Sequence, residues 1–300
     1  MNLSVDFAGI QMKNPVTTAS GTFGSGAEYS EFVDLGALGA VTTKGVASVP
    51  WPGNKTPRIC ETYGGMLNAI GLQNPGIDLF AERDIPFLRK YDTRIIVNVC
   101  GRTLEEYVEV VKRLATEDVD LLEINISCPN VEAGGLAFGQ NPKMVENITR
   151  RIKDVAKQPV IMKLSPNVTD IALMAKAAEA GGADAVSLIN TLTGMKIDIY
   201  RRTFALANKT GGMSGPAVKP VAVRMVYQTA QAVKIPVLGM GGICTAEDAL
   251  EFIMAGASMV AVGTANFHNP TATVDIIKGI EDFMRNNKVE DIRELIGCVK

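Results

Sequence analysis

Along this chain, short apolar runs rich in β-branched residues alternate with longer stretches whose apolar positions recur at helical spacing. The runs predict strands at 16–19, 40–44, 95–99, 121–126, 160–164, 185–189, 237–240 and 259–262. The helical period predicts helices at 78–90, 103–117, 142–157, 169–180, 219–233, 245–255 and 271–286. Asn141–Pro142 and Asn269–Pro270 punctuate helix starts, and Gly181 and Gly256 stand where helices should stop. Eight strand runs alternating with helices imply an α/β fold, a closed (β/α)8 TIM barrel. Ahead of it, 3–7 and 10–13, joined at Ala8–Gly9, predict an N-terminal β-hairpin at the barrel's lower end. No Ser/Pro/Gly linker or charge block divides the chain, so residues 1–300 read as a single domain. Three connections, 46–77, 127–140 and 190–216, are longer than turns require, which points to functional βα loops over the active face.

Hydrophobic residues at 47% and charged residues at 21% exclude a disordered or fibrous chain. Thirty Lys and Arg against 32 Asp and Glu leave a net charge of −2, so no positive surplus exists to neutralise a nucleic-acid backbone or an anionic membrane. The single histidine, His268, makes any Ser-His-Asp or Cys-His scheme depend on one residue, which reads as a solvated side chain at a helix start. Cys60, Cys100, Cys128, Cys244 and Cys298 are odd in number and never spaced C-x-x-C. That argues against a disulfide framework or a metal cluster and fits a reducing cytoplasm. The amino terminus lacks the basic-then-apolar order of a signal peptide, and 252–267 is broken by Gly, Ser, Thr and Asn, so no membrane span is expected.

Chemistry gathers at the strand ends. At or just past the eight runs stand Ser20, Lys44, Asn98, Asn125, Lys163, Asn190, Gly241–Gly242 and Gly263–Thr264. Polar residues favour loops, which accounts for any one of them. Two lysines and three asparagines together point to a binding site at the barrel mouth, because lysine is rarely buried unpaired. Glycines after the seventh and eighth strands offer backbone N–H groups where such barrels commonly bind phosphate; the alternative is tight turns alone. The run Gly239-Met240-Gly241-Gly242-Ile243-Cys244 lacks the third glycine of a dinucleotide fingerprint, so a nicotinamide site in this chain is unsupported. Lys163 should point into the barrel, either to stabilise an anion on a bound cofactor or to form a salt bridge with a neighbouring strand. Cys128 opens a glycine-bearing loop, where a thiol can act as nucleophile or base, the alternative being a small buried hydrophobe. The buried reading is the one taken for Cys100 and Cys244.

The segments Asn68-Ala69-Ile70-Gly71-Leu72-Gln73-Asn74-Pro75-Gly76, Asn125-Ile126-Ser127-Cys128-Pro129-Asn130, Lys163-Leu164-Ser165-Pro166-Asn167, Ile189-Asn190-Thr191 and Gly239-Met240-Gly241-Gly242-Ile243 together resemble the catalytic subunit of the class 1B dihydroorotate dehydrogenases, over nearly the whole chain. That family has an FMN-containing (β/α)8 barrel. The resemblance implies FMN contacts at Ser20, Lys44, Gly45, Asn98, Asn125, Lys163, Ile189, Gly215, Gly241, Gly242, Gly263 and Thr264. It implies substrate contacts at Lys44, Asn68, Ala69, Ile70, Gly71, Leu72, Asn125, Asn190 and Thr191. Cys128 falls on the catalytic-base position, where the membrane-associated class has a serine. Gly134-Gly135-Leu136-Ala137-Phe138-Gly139 looks more like class 1B than the fumarate-using class 1A, and Cys100 stands where an alanine would be expected.

The resemblance further implies oxidation of (S)-dihydroorotate to orotate in de novo pyrimidine (UMP) biosynthesis. Cys128 would take a proton from C5 while hydride leaves C6 for a single FMN. It also implies a partner subunit bearing FAD and a 2Fe–2S cluster that passes electrons to NAD+, in a heterotetramer of two copies of each chain. A stand-alone, fumarate-dependent homodimer is the alternative within the same barrel. A flavin-free phosphate-binding barrel such as a sugar-phosphate isomerase would use the glycines but leave Cys128 and the asparagines unexplained. A non-catalytic scaffold would leave the paired lysines unexplained.

Overall fold

An apolar run forms a barrel strand when both of its faces can be buried, and these runs meet that condition almost throughout. The computed structural model describes residues 1–127 and 138–299, so Cys128 lies outside the described residues. Eight parallel strands, β1 (Val16–Thr18), β2 (Ala40–Thr42), β3 (Arg94–Val99), β4 (Leu121–Asn125), β5 (Val160–Lys163), β6 (Ala185–Leu188), β7 (Val237–Met240) and β8 (Met259–Val262), form one sheet. Their order, β1-β8-β7-β6-β5-β4-β3-β2, is that of a (β/α)8 barrel. At the seam β1 meets β2 through hydroxyls instead of a ladder: Thr42 N–H donates to Thr18 Oγ1 (3.0 Å), which donates to Thr42 O (3.1 Å). Gly39 N–H reaches Val16 O (3.1 Å) nearby. A side chain at Gly39 would place its Cβ 2.1 Å from Asn14 O, so this approach requires glycine.

Several strands end one or two residues before the pattern predicts, because the last residues turn towards the mouth. Lys44 N–H, for example, donates to Gly24 O (2.8 Å) and leaves the β2 ladder. Helices Leu104–Leu114, Pro142–Lys153, Ile171–Ala180, Lys219–Ala232, Ala246–Met254 and Ala272–Asn287 match the predicted ones, trimmed where caps take over. Thr103 Oγ1 accepts from Glu106 N–H, Asn141 Oδ1 from Lys143 N–H, and Thr245 with Asp248 closes a capping box. The helix expected at 78–90 is instead Ile77–Leu79, a π-helical turn at Phe80–Asp84 and Ile85–Leu88. Pro86 has no N–H to return to the preceding turn.

The N-terminal hairpin pairs Val5–Phe7 with Ile10–Met12 through Ala8 (φ 54°) and Gly9 (φ 82°), and buries Phe7 and Met12 in the main core. Two of the long connections fold into strands. Ile59–Thr62 and Gly65–Asn68 from the first, with Leu192–Met195 and Thr210–Ser214 from the second, make a four-stranded antiparallel sheet. Its central register sets Gly212 opposite Asn68, which ties the loops after β2 and β6 to each other.

Two sequence readings are corrected. Cys244 is only half-buried, because it precedes the Ala246–Met254 helix at the edge of the core, whereas Cys100 is fully buried against Ala47, Trp51 and Leu72. His268 is exposed as expected but closes the short helix Ala265–His268 instead of opening one. Among the described residues no helix is long and apolar enough to cross a membrane.

Candidate functional site

Side chains on four successive strands meet inside the barrel. Glu123 on β4, with no exposed surface, accepts from Asn98 Nδ2 on β3 (2.6 Å) and from Ser187 Oγ on β6 (2.7 Å). Lys163 on β5, also buried, brings its Nζ to 3.8 Å from the same carboxylate. The salt bridge weighed for Lys163 therefore exists. At that separation it is an electrostatic contact without a hydrogen bond, so the amine keeps donors for another partner. Gly45 lies against this group: a Cβ there would sit 2.8 Å from Asn98 Oδ1.

Above the floor the amides interlock. Asn190 Nδ2 donates to Ser127 Oγ (2.8 Å) and Asn125 Oδ1 (3.2 Å), while Asn190 Oδ1 accepts from Thr191 N–H (2.8 Å). Asn167 donates to Thr191 O (3.0 Å) and accepts from Thr193 N–H (2.9 Å). Tyr107 OH donates to Asn125 O (2.6 Å), which fixes the end of β4. Asn68 reaches the cluster through Gly212, where any side chain would collide with Thr191 Oγ1. Ala69, Ile70 and Gly71 are instead held by the 54–58 segment: Ala69 N–H donates to Arg58 O, and Ile70 O accepts from Asn54 N–H. Leu72 packs on Trp51 and Cys100.

The glycine loops close the third side. Gly241 (φ 123°) and Gly242 (φ 85°) adopt backbone that favours glycine, and a Cβ at Gly241 would meet Ile189 Cγ1 at 3.0 Å. Gly242 packs on Gly215, whose carbonyl lies 2.9 Å from where its Cβ would be. Thr264 Oγ1 donates to Ser214 Oγ (2.8 Å), and Gly263 lies against Ala19 beside half-buried Ser20. Nearby Lys219 is already committed to Asp248 and Glu251 (2.7 Å each), which hold its amine up to about 12.

Burial pushes the Lys44 amine below the ordinary lysine range of 10.5; Cys100 opposes this, and the charges of Lys163 and Arg58 add to it. Cations crowded into a half-buried mouth favour an anionic ligand, whose charge would relieve both desolvation and repulsion. A cavity of about 230 Å³ opens at the amide cluster, lined by Ser127, Asn167, Asn190, Thr191, Thr193 and Gly212 among others. A roomier groove of about 730 Å³ runs outside the barrel along Val223, Tyr227, Leu250 and Phe283. No strand-end residue reaches that groove, whereas Asn190 lines the smaller cavity.

The sequence profile of the family described as dihydroorotate dehydrogenase matches residues 2–284. The chain belongs to that family. It is 74% identical over 300 residues, the full length of both chains, to the dihydroorotate dehydrogenase B (NAD(+)) catalytic subunit of Lachnoclostridium phytofermentans. Identity is 65% over 299 residues to the protein of that name in Alkaliphilus metalliredigens, covering 100% of this chain and 99% of the relative. It is 57% over 300 residues to that of Geobacter sulfurreducens, covering 100% and 98%. As a member of that family the chain is a flavin-dependent oxidoreductase.

The described residues fit a flavin mononucleotide. Asn98 Oδ1 is buried without a hydrogen-bond partner, an acceptor that suits an N–H of a bound ring. The left-handed glycines after β7 stand where such barrels commonly bind phosphate through backbone N–H groups, and Lys44 and Lys163 supply positive charge. Sequence reasoning passed over Glu123, Asn167 and Arg58. Glu123 was legible by the argument applied to Lys163, since a carboxylate inside the run Leu121-Leu122-Glu123-Ile124-Asn125 must find partners when buried. Asn167 stood in a quoted motif without a role. Arg58 carried no local signal, because the fold alone brings it near Lys44.

Proposed function

We propose that this chain, acting as one domain over residues 1–300, oxidises (S)-dihydroorotate to orotate in de novo pyrimidine (UMP) biosynthesis with one bound FMN. The observation that supports it best is the Asn190–Asn125–Ser127 amide cluster above the Lys163 floor. Dihydroorotate presents amide donors and acceptors plus a carboxylate, and fixed amides beside cations match that ring edge. FMN, when bound, supplies the hydride acceptor. Asn68, Asn125, Asn190 and Thr191 orient the substrate ring, Lys44 attracts its carboxylate, and the glycine loops after β7 and β8 receive the cofactor phosphate. Cys128, immediately after Ser127, takes the C5 proton as general base.

The names of the relatives support NAD+ as final acceptor and a second subunit, which we assign FAD, a 2Fe–2S cluster and a place in a heterotetramer with two copies of each chain, in the cytoplasm. The test is an absorbance spectrum from 300 to 550 nm followed by anaerobic dihydroorotate. A flavin band that bleaches is expected. A band that dihydroorotate leaves untouched removes the substrate assignment, and no band after FMN reconstitution removes the flavin.

Lys44 gives the site a pH dependence. Its amine is charged only below a pKa that burial holds under 10.5, so its attraction for orotate is lost as pH rises through that value, earlier than for a free lysine. Orotate affinity should therefore begin to fall at a pH below that at which a free lysine loses its charge. Over the same window the ligand-free protein gains stability, because the unfolded chain binds the proton the folded one has shed. Isothermal titration of orotate from neutral to alkaline pH checks this. An affinity that stays flat, or a Lys44→Met protein with the same alkaline fall, excludes Lys44 as its cause.

A further inference from the structure

We propose that Glu123 is a positioning residue that sets the polarity of the cofactor-facing floor, by fixing which way the Asn98 amide points and by tethering the Lys163 amine. The inference rests on the FMN reading above and extends it to a residue given no contact with cofactor or substrate.

Glu123 and Asn98 are direct partners in the β3–β4 register, and Lys163 and Ser187 are direct partners in the β5–β6 register. Four neighbouring strands thus contribute one polar interior side chain each at about one level of the barrel. Glu123 is the hub, with Oε2 receiving Asn98 Nδ2 at 2.6 Å and Oε1 receiving Ser187 Oγ at 2.7 Å. A carboxylate offers only acceptors, so it selects the NH2 end of the amide and turns Asn98 Oδ1 the other way. That oxygen lies beside Gly45, buried and without a protein partner. An acceptor left unsatisfied in a buried position costs free energy unless a ligand donor meets it, and a flavin ring carries an imide N–H. The same carboxylate holds Lys163 Nζ at 3.8 Å, outside hydrogen-bond range. The ammonium is kept central by charge while its N–H groups stay available. Replacing Glu123 by a neutral amide would release both constraints, because a glutamine side chain can face Asn98 with either end.

The test uses the full chain stripped of flavin and titrated with FMN, followed by fluorescence quenching, with the flavin midpoint potential and the melting temperature of the ligand-free protein measured alongside. Glu123→Gln should weaken FMN binding about tenfold and move the potential to more positive values, since a negative charge beneath the flavin is gone. Combining Asn98→Asp with Glu123→Gln keeps the net charge. In this exchange the introduced glutamine amide donates to one oxygen of the introduced carboxylate while the other oxygen restores the outward acceptor, so affinity should return towards wild type. A residue with only a structural role would lower the melting temperature without this loss and recovery of affinity. Wild-type affinity and potential in Glu123→Gln, or an exchange protein that binds FMN no better than the single variant, overturns the proposal. If the single variant does not fold, the exchange decides alone: FMN binding close to wild type supports the proposal, and a folded exchange protein that binds no FMN overturns it. A wild-type chain that binds no FMN defeats the flavin reading instead, a separate result.

Discussion

Cys128→Ala is expected to slow the bleaching of bound FMN by dihydroorotate about 10²-fold or more while leaving FMN bound, the usual scale for removing a general base. The reaction breaks two bonds to one ring, and the C–H bond at C5 needs a base close enough to take its proton as hydride leaves C6. Cys128 follows Ser127, whose hydroxyl receives the Asn190 amide. The start of its loop is therefore anchored to the cluster assigned to the substrate. A free thiol has a pKa of about 8.5, so only a small fraction is thiolate at neutral pH. Reduction by the wild-type protein should accordingly accelerate through the mildly alkaline range, and the alanine variant should lose that rise along with the rate. Stopped-flow absorbance under anaerobic conditions reads both. A variant that reduces its flavin at the wild-type rate excludes Cys128 as the base.

Lys163→Ala is the second large effect, and it reaches the fold as well as the site. Removing the ammonium leaves the fully buried Glu123 carboxylate without its counter-charge, a change that costs about 3–5 kcal/mol in buried pairs. The lower end, about 3 kcal/mol, is expected because Asn98 and Ser187 still hydrogen-bond the carboxylate. For a chain of this size that lowers the melting temperature of the ligand-free protein by about 5 °C. FMN should be lost, or retained at a more negative potential, since a nearby cation favours the electron-rich form of the ring. Lys163 also helps to push Lys44 down, so the alkaline fall in orotate affinity should move to higher pH in this variant. Calorimetry of the stripped protein together with a redox titration separates the two roles. Unchanged melting and an unchanged potential would remove Lys163 from both.

Much of this was legible in the residues. Apolar runs such as Val237–Met240 and Met259–Val262 fixed their strands to the residue, because a strand buried on both faces has few alternatives. The residues after them marked the mouth, since Lys163 and Asn125 have no reason to end apolar runs unless something polar awaits them. Less legible was the sheet over the mouth. Gly64–Gly65 and Gly211–Gly212 look like turn material, and the pairing of Gly212 with Asn68 joins positions 144 residues apart. No local pattern encodes a partner so distant.

By itself, then, the sequence determined the number and order of the barrel strands and the family, because burial period and short motifs are local properties of the chain. Tertiary structure decided which of those residues act on one another. It set Glu123 between Asn98 and Lys163, brought Arg58 near Lys44, and left Asn98 Oδ1 without a protein partner. Charge coupling and the satisfaction of buried polar groups depend on distance through space, which is defined only once the strands have closed into a barrel.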